Sequence, residues 1–135
     1  MVWLAALGVL VCFVACSADG SEPISKAPPA PEMPADWKVV SDFDVPAEQA
    51  KPIAQKLGVT LSSLRNTLYD VNGKSVQLNV IITSDQANAD KLMAKLKTMK
   101  GEVALLRKGL IVYEFVGKND VLPLIAEGRK HLESK

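Results

Sequence analysis

Cysteine is scarce in this chain. Of 135 residues only Cys12 and Cys16 are cysteines, and both lie in the first sixteen positions. The rest of the chain therefore has no disulfide framework, thiolate zinc cluster or thiol nucleophile. Histidine occurs once, at His131, so neither a His-rich metal site nor a Cys–His pair can form. Near a helix end an imidazole of this kind reads as a surface residue favoured by the dipole. Aromatic residues make up 5%, too few for a platform that stacks nucleobases. Charge of one sign is also missing. Sixteen Lys and Arg stand against fifteen Asp and Glu, a net charge of +1, and phosphate neutralisation lacks its driving force. No glycine-rich phosphate loop and no G-x-S-x-G elbow is present. These absences lead to the expectation of a non-catalytic protein without metal, cofactor or nucleic-acid partner. The apolar fraction, 48%, is that of a globular chain, and the length allows one domain.

Charge is absent from one more place. Residues Met1 to Cys16 carry no charged or strongly polar side chain, and Ser17-Ala18-Asp19-Gly20 follow abruptly. No Lys or Arg precedes the apolar run. Sixteen helical residues span about 24 Å, short of the roughly 30 Å hydrocarbon core, so the run reads as a secretory signal rather than a transmembrane helix. Its end, Phe13-Val14-Ala15-Cys16, resembles the lipobox of bacterial lipoproteins, with a small residue before the cysteine. Phe13 departs from the leucine preferred there. The resemblance implies cleavage before Cys16, a signal peptide over residues 1–15, and a diacylglyceryl group on the Cys16 thiol. By the same analogy Ser17 implies the outer membrane, facing the periplasm. Acyl chains contribute about 0.8 kcal/mol per buried methylene, so several of them hold a soluble domain firmly. Without lipidation, a cut near Ala18 would release a secreted protein.

Residues 16–35 then read as a tether. Pro23, Pro28, Pro29, Pro31 and Pro34 are five of the eight prolines. Such a segment buries too little apolar surface to fold and extends as polyproline II, reaching at most roughly 60 Å.

Residues 36–135 are expected to form a single α+β domain, an antiparallel sheet of about five strands with helices on one face. Trp37 to Phe43 reads as a strand with Val40 and Phe43 in the core. Pro46 to Leu57 reads as a helix ended by Gly58, with Pro52 tolerated if the regular helix begins near Glu48. Val76, Leu78, Val80 and Ile82 alternate with Gln77 and Asn79, a half-buried strand. Before it, a three-residue loop with Gly73 left-handed would pair Leu68 with Val76 and Leu64 with Val80. Ser84 is placed to cap a helix from Asp85 to Lys100, with Ala89, Leu92, Met93, Leu96 and Met99 inward. Strands Glu102 to Leu106 and Leu110 to Val116 follow. Asn119 or Asp120 then caps a last helix that turns Val121, Ile125 and Leu132 inward. The order β-α-β-β-α-β-β-α is ferredoxin-like in its first six elements, an architectural likeness without functional content.

Residues 91–108 carry a net charge of +5 and residues 36–50 a net charge of −3. Lys91, Lys95, Lys100, Arg107 and Lys108 are therefore candidate contacts for an anionic envelope component or an acidic protein. Lysines snorkelling around a buried helix face give the same pattern. A small-ligand sensor or carrier would instead need a pocket between the sheet and helix Asp85 to Lys100. A carboxylate enzyme would need Asp42, Asp44 or Glu114 together in a cleft. Residues 52–67, with Ala54, Gly58 and Leu64, have the spacing of a helix-turn-helix. Pro52 and the lone Arg65 argue against DNA binding and for a helix cap leading into a strand. The reading that best fits these features is an exported, membrane-anchored binding or scaffolding module of a bacterial cell envelope.

Overall fold

A computed structural model describes residues 30–135, the side chains of residues 100 and 102 excepted. The apolar run, Cys16 and the tether up to residue 29 lie outside the described residues. Strand β1 (Trp37–Asp44) leads to helix α1 (Ala47–Leu57), then to β2 (Leu61–Val71) and β3 (Lys74–Thr83). Helix α2 (Gln86–Lys100), a 3-10 turn (Glu102–Ala104), β4 (Leu105–Lys108) and β5 (Ile111–Val116) come next. A second 3-10 turn (Asn119–Val121) and α3 (Leu122–Glu133) finish the chain. This is the expected α+β order.

The five strands form one sheet in the order β1-β2-β3-β5-β4, and every neighbouring pair is antiparallel. The likeness to a ferredoxin-like unit therefore stops at the order of elements. β1 and β2 are antiparallel neighbours, so β1–α1–β2 is no βαβ crossover. The split βαβ arrangement lies elsewhere: β3 and β4 run parallel, joined through α2, with β5 inserted between them.

The β2–β3 hairpin turns on two residues rather than three. Val71 pairs with Lys74 and Tyr69 with Val76, and Asn72 and Gly73 both have positive φ, 55° and 84°. Asn-Gly is the sequence that tolerates such a type I′ turn. Burial cannot choose between the two loops here, because both faces of the sheet are covered. Along β3, Ile81 belongs to a core with Leu64, Val112, Leu105 and the helix residues Ala50, Ile53, Leu57, Leu92 and Leu96. Val76, Leu78 and Val80 point the other way, into a core with Tyr69, Phe115, Ile125 and Leu132. Helices α1 and α2 thus share one face, as expected, while α3 lies on the other. Apolar side chains on both faces require that third layer.

Local chemistry fixes the ends. Asp85, one residue later than expected, caps α2 by accepting the Asn88 N–H at 2.8 Å. Pro52 lies inside α1, not in its first turn, on the exposed side where the missing donor faces water. In β1 the expected inward Val40 is 61% exposed and Trp37 only 5%. A bulge between Val39 and Ser41 carries Val40 outward and reverses the alternation.

Trp37 binds the fold to its N-terminal approach. Its ring meets Tyr69 and Phe115 edge-on, at centroid distances of 5.4 and 6.2 Å. Met33, within the segment read as tether, packs into the same core, and His131 Nε2 lies 3.0 Å from the Glu32 carbonyl. The tether is therefore docked at its C-terminal end. Gly128 makes this possible, since a Cβ there would stand 2.6 Å from Trp37 Cη2 and 2.9 Å from Cζ2. Gly128→Ala should destabilise the domain by about 1–3 kcal/mol in urea titrations, despite the higher helix propensity of alanine.

Candidate functional site

The outer surface of the α1–α2 layer carries an open depression of about 470 Å³, lined by Leu57, Gly58, Lys91, Ala94, Lys95 and Thr98. Its position follows from how α1 ends. Gly58 takes the left-handed conformation at φ 68°, and its N–H bonds back to the helix. A Cβ on Gly58 would meet nothing within 4 Å. The loop that follows is tied to the start of α2. Asn88 Oδ1 accepts the Thr60 N–H at 2.9 Å, and the Thr60 carbonyl accepts the Ser84 N–H at 3.3 Å. Residues 91, 94, 95 and 98 of α2 then turn one surface toward the end of α1. Lys91 and Lys95 are exposed and one helical turn apart, and neither makes a salt bridge among the described residues.

The five candidate cations do not gather here. Arg107, on β4, faces α2 from below, where its guanidinium engages Asp90 and Gln86. Lys108 points to the opposite face of the sheet and donates to the Leu132 carbonyl at the end of α3. Lys100 ends α2, and its side chain lies outside the described residues. Lys91 and Lys95 remain as a pair. Sequence reading found the two lysines but not the partners that shape the depression, Gly58, Ala94 and Thr98. Gly58 was visible only as a helix stop.

The space beneath α2 is filled. Leu92 and Leu96 meet Ile81, Leu105 and Val112 there, so side chains occupy the place where a small-ligand carrier would need its pocket. Residues Leu61–Val71 are a strand, so the second helix of a helix-turn-helix is absent, and the motif resolves into a helix cap followed by β2.

The carboxylates are also separated. Asp42 and Asp44 lie on the α3 face beside Arg65, while Glu114 lies on the α1–α2 face, fully buried. Glu114 Oε1 accepts from Asn79 Nδ2 at 2.7 Å, and Asn79 Oδ1 accepts from Asn66 Nδ2 at 2.5 Å and Gln77 Nε2 at 3.1 Å. All four side chains are buried. Sequence reading placed Gln77 and Asn79 toward solvent. The overlooked signal was a run of polar residues in register across three central strands.

Arg65 donates from Nε to Asp42 Oδ1 at 2.8 Å, from Nη2 to Asp42 Oδ2 at 2.6 Å and from Nη1 to Asp44 Oδ1 at 3.2 Å. Thr67 Oγ1 donates to Asp42 Oδ1 at 2.9 Å. On β2, one strand in from the sheet edge, burial pushes the neighbouring Tyr69 phenol up to about 12. That hydroxyl stays protonated at any physiological pH. Among the described residues no group of three His, Cys, Asp or Glu is placed to hold a metal ion. Among them no helix is long and apolar enough to cross a membrane. No protein-family model matches the chain, and no curated protein or solved structure is significantly similar to it.

The hydrogen bonds from Arg65 hold the Asp42 carboxyl below its ordinary value of 3.8, against the opposing effect of burial. A carboxyl lowered in the folded state stabilises above its unfolded value, and that contribution fades as pH falls through the folded one. Asp42→Asn should therefore lower stability near neutral pH, and its deficit should close as pH drops below 3.8. Urea titrations of both proteins across that range measure the closure.

Proposed function

We propose that this chain is an exported, non-catalytic binding or scaffolding module of a bacterial cell envelope. A lipid on Cys16 holds it at the outer membrane, facing the periplasm, and it captures an anionic partner through α2. The lipobox-like Phe13-Val14-Ala15-Cys16 and the proline-rich tether support the anchoring. The observation that carries the binding role is the pair Lys91 and Lys95, exposed and lining an open, largely apolar depression. A rigid helix supplies the charges at fixed spacing, and Leu57 and Ala94 beside them offer apolar contact area.

The experiment isolates the full chain from membranes, reads its intact mass and compares what co-purifies with wild type and with Lys91→Glu plus Lys95→Glu. The expected mass is that of a chain starting at an acylated Cys16. Reversing the two charges should abolish partner capture while leaving the unfolding midpoint unchanged. An unlipidated chain starting after Ala18 would remove the anchor from this account. An unchanged set of captured proteins would remove the site.

A further inference from the structure

Resting on that reading, we infer that the α1–α2 depression takes an acidic polypeptide segment, carboxylates flanking an apolar side chain, rather than an anionic lipid surface. Binding to an anionic bilayer is built from clusters of four to eight Lys or Arg, each contributing about 1 kcal/mol close to the surface. Of the basic run in residues 91–108, Arg107 is engaged by Asp90 and Gln86, Lys108 lies on the opposite face of the sheet, Lys97 has an interaction of its own, and the side chain of Lys100 lies outside the described residues. Lys91 and Lys95 together supply about 2 kcal/mol to a membrane surface, fewer charges than such a cluster uses.

Shape points the same way. A bilayer presents a flat or convex surface, whereas a single side chain of a peptide can enter a shallow depression. Here the apolar groups Leu57 and Ala94, with the open space over Gly58, lie within the depression between the two helices. Lys91 and Lys95, one turn apart with about 6 Å between Cβ atoms, line it as well. A segment with an apolar side chain between two carboxylates fits both features at once. Its apolar group enters over Ala94 and its carboxylates reach the two ammonium groups, while the rest of the segment stays in water.

The docked end of the tether adds a constraint on direction. Met33 and Trp37 bring the chain in along α3, on the face opposite α1 and α2. The depression therefore lies on the side of the sheet away from the tether's point of entry.

The test uses the full chain in detergent and a fluorescent synthetic peptide with two glutamates flanking a leucine. The same peptide with glutamines and vesicles containing anionic lipid serve as further probes. Binding of the acidic peptide that weakens about tenfold in Lys91→Glu plus Lys95→Glu, and fails for the glutamine peptide, supports the inference. Ala94→Trp fills the depression without changing its charge. It should block the peptide, whereas a membrane-binding surface would gain from an exposed tryptophan. Equal binding of the glutamine peptide overturns the inference. So does vesicle binding that depends on the lysines and survives Ala94→Trp, an outcome that leaves the envelope binding module intact. If no probe binds while lysine-dependent capture from membranes persists, the acidic segment is wrong and the module stands. If capture is absent as well, both fall.

Discussion

A row of polar side chains buried in the middle of the sheet governs this fold. Asn66, Asn79 and Glu114 stand side by side across β2, β3 and β5, and Gln77 reaches into the row from two residues along β3. Asn79 is the hub, accepting from two amides and donating to a carboxylate, with 1% of its surface exposed. A buried polar group without its partner costs about 1–3 kcal/mol. Slipping β3 by one residue would turn Gln77 and Asn79 into the core that holds Val76, Leu78 and Val80, and would strand their partners. Apolar contacts alone discriminate poorly here, because both faces of β3 are buried. The row is what makes one register better than the next. It is not fully satisfied, since Asn66 Oδ1 accepts no hydrogen bond among the described residues.

Burial on both faces decides where function can reside. The sheet is covered by α1 and α2 on one side and α3 on the other, and the space between is packed. Chemistry that needs solvent or a partner is left to the outer surfaces and the strand edges. Edge strand β4 is short, and its Leu105 carbonyl is capped by Arg129 Nε at 2.6 Å. Edge strand β1 exposes Val39 and Val40, but its bulge puts Lys38 and Asp42 on opposite faces, so two copies cannot pair it in one continuous register. The α1–α2 surface, where Lys91 and Lys95 line an open depression with Leu57 and Ala94, is the site with both shape and charge.

Much of the architecture was legible in the sequence, and the misses share a cause. Element order, the inward face of α2 and the Gly58 stop follow from periodicity and capping, which act over a few residues. The hairpin register, the side taken by α3 and the orientation of Trp37 depend on what covers the second face, and no local pattern reports that. Reading Gln77 and Asn79 as solvent-facing made the strand look half-buried. That assumption favoured the three-residue loop and a single helical layer. Val40 failed for a different reason, a bulge with no glycine to announce it. For the site, charge density identified residues 91–108, but strand pairing and helix contacts divided those cations between two faces. Only the i, i+4 pair on one helix survived, since that spacing is set by the helix itself.

The most direct test of this account is a double-mutant cycle between Asn79 and Glu114, with Asn79→Ala, Glu114→Ala and the double variant unfolded in urea. The account predicts strong coupling, with the double variant losing less stability than the two single losses combined, by about 1 kcal/mol or more. Losses that simply add would mean the row does not act as a unit, and the register would have to be explained by the apolar cores alone.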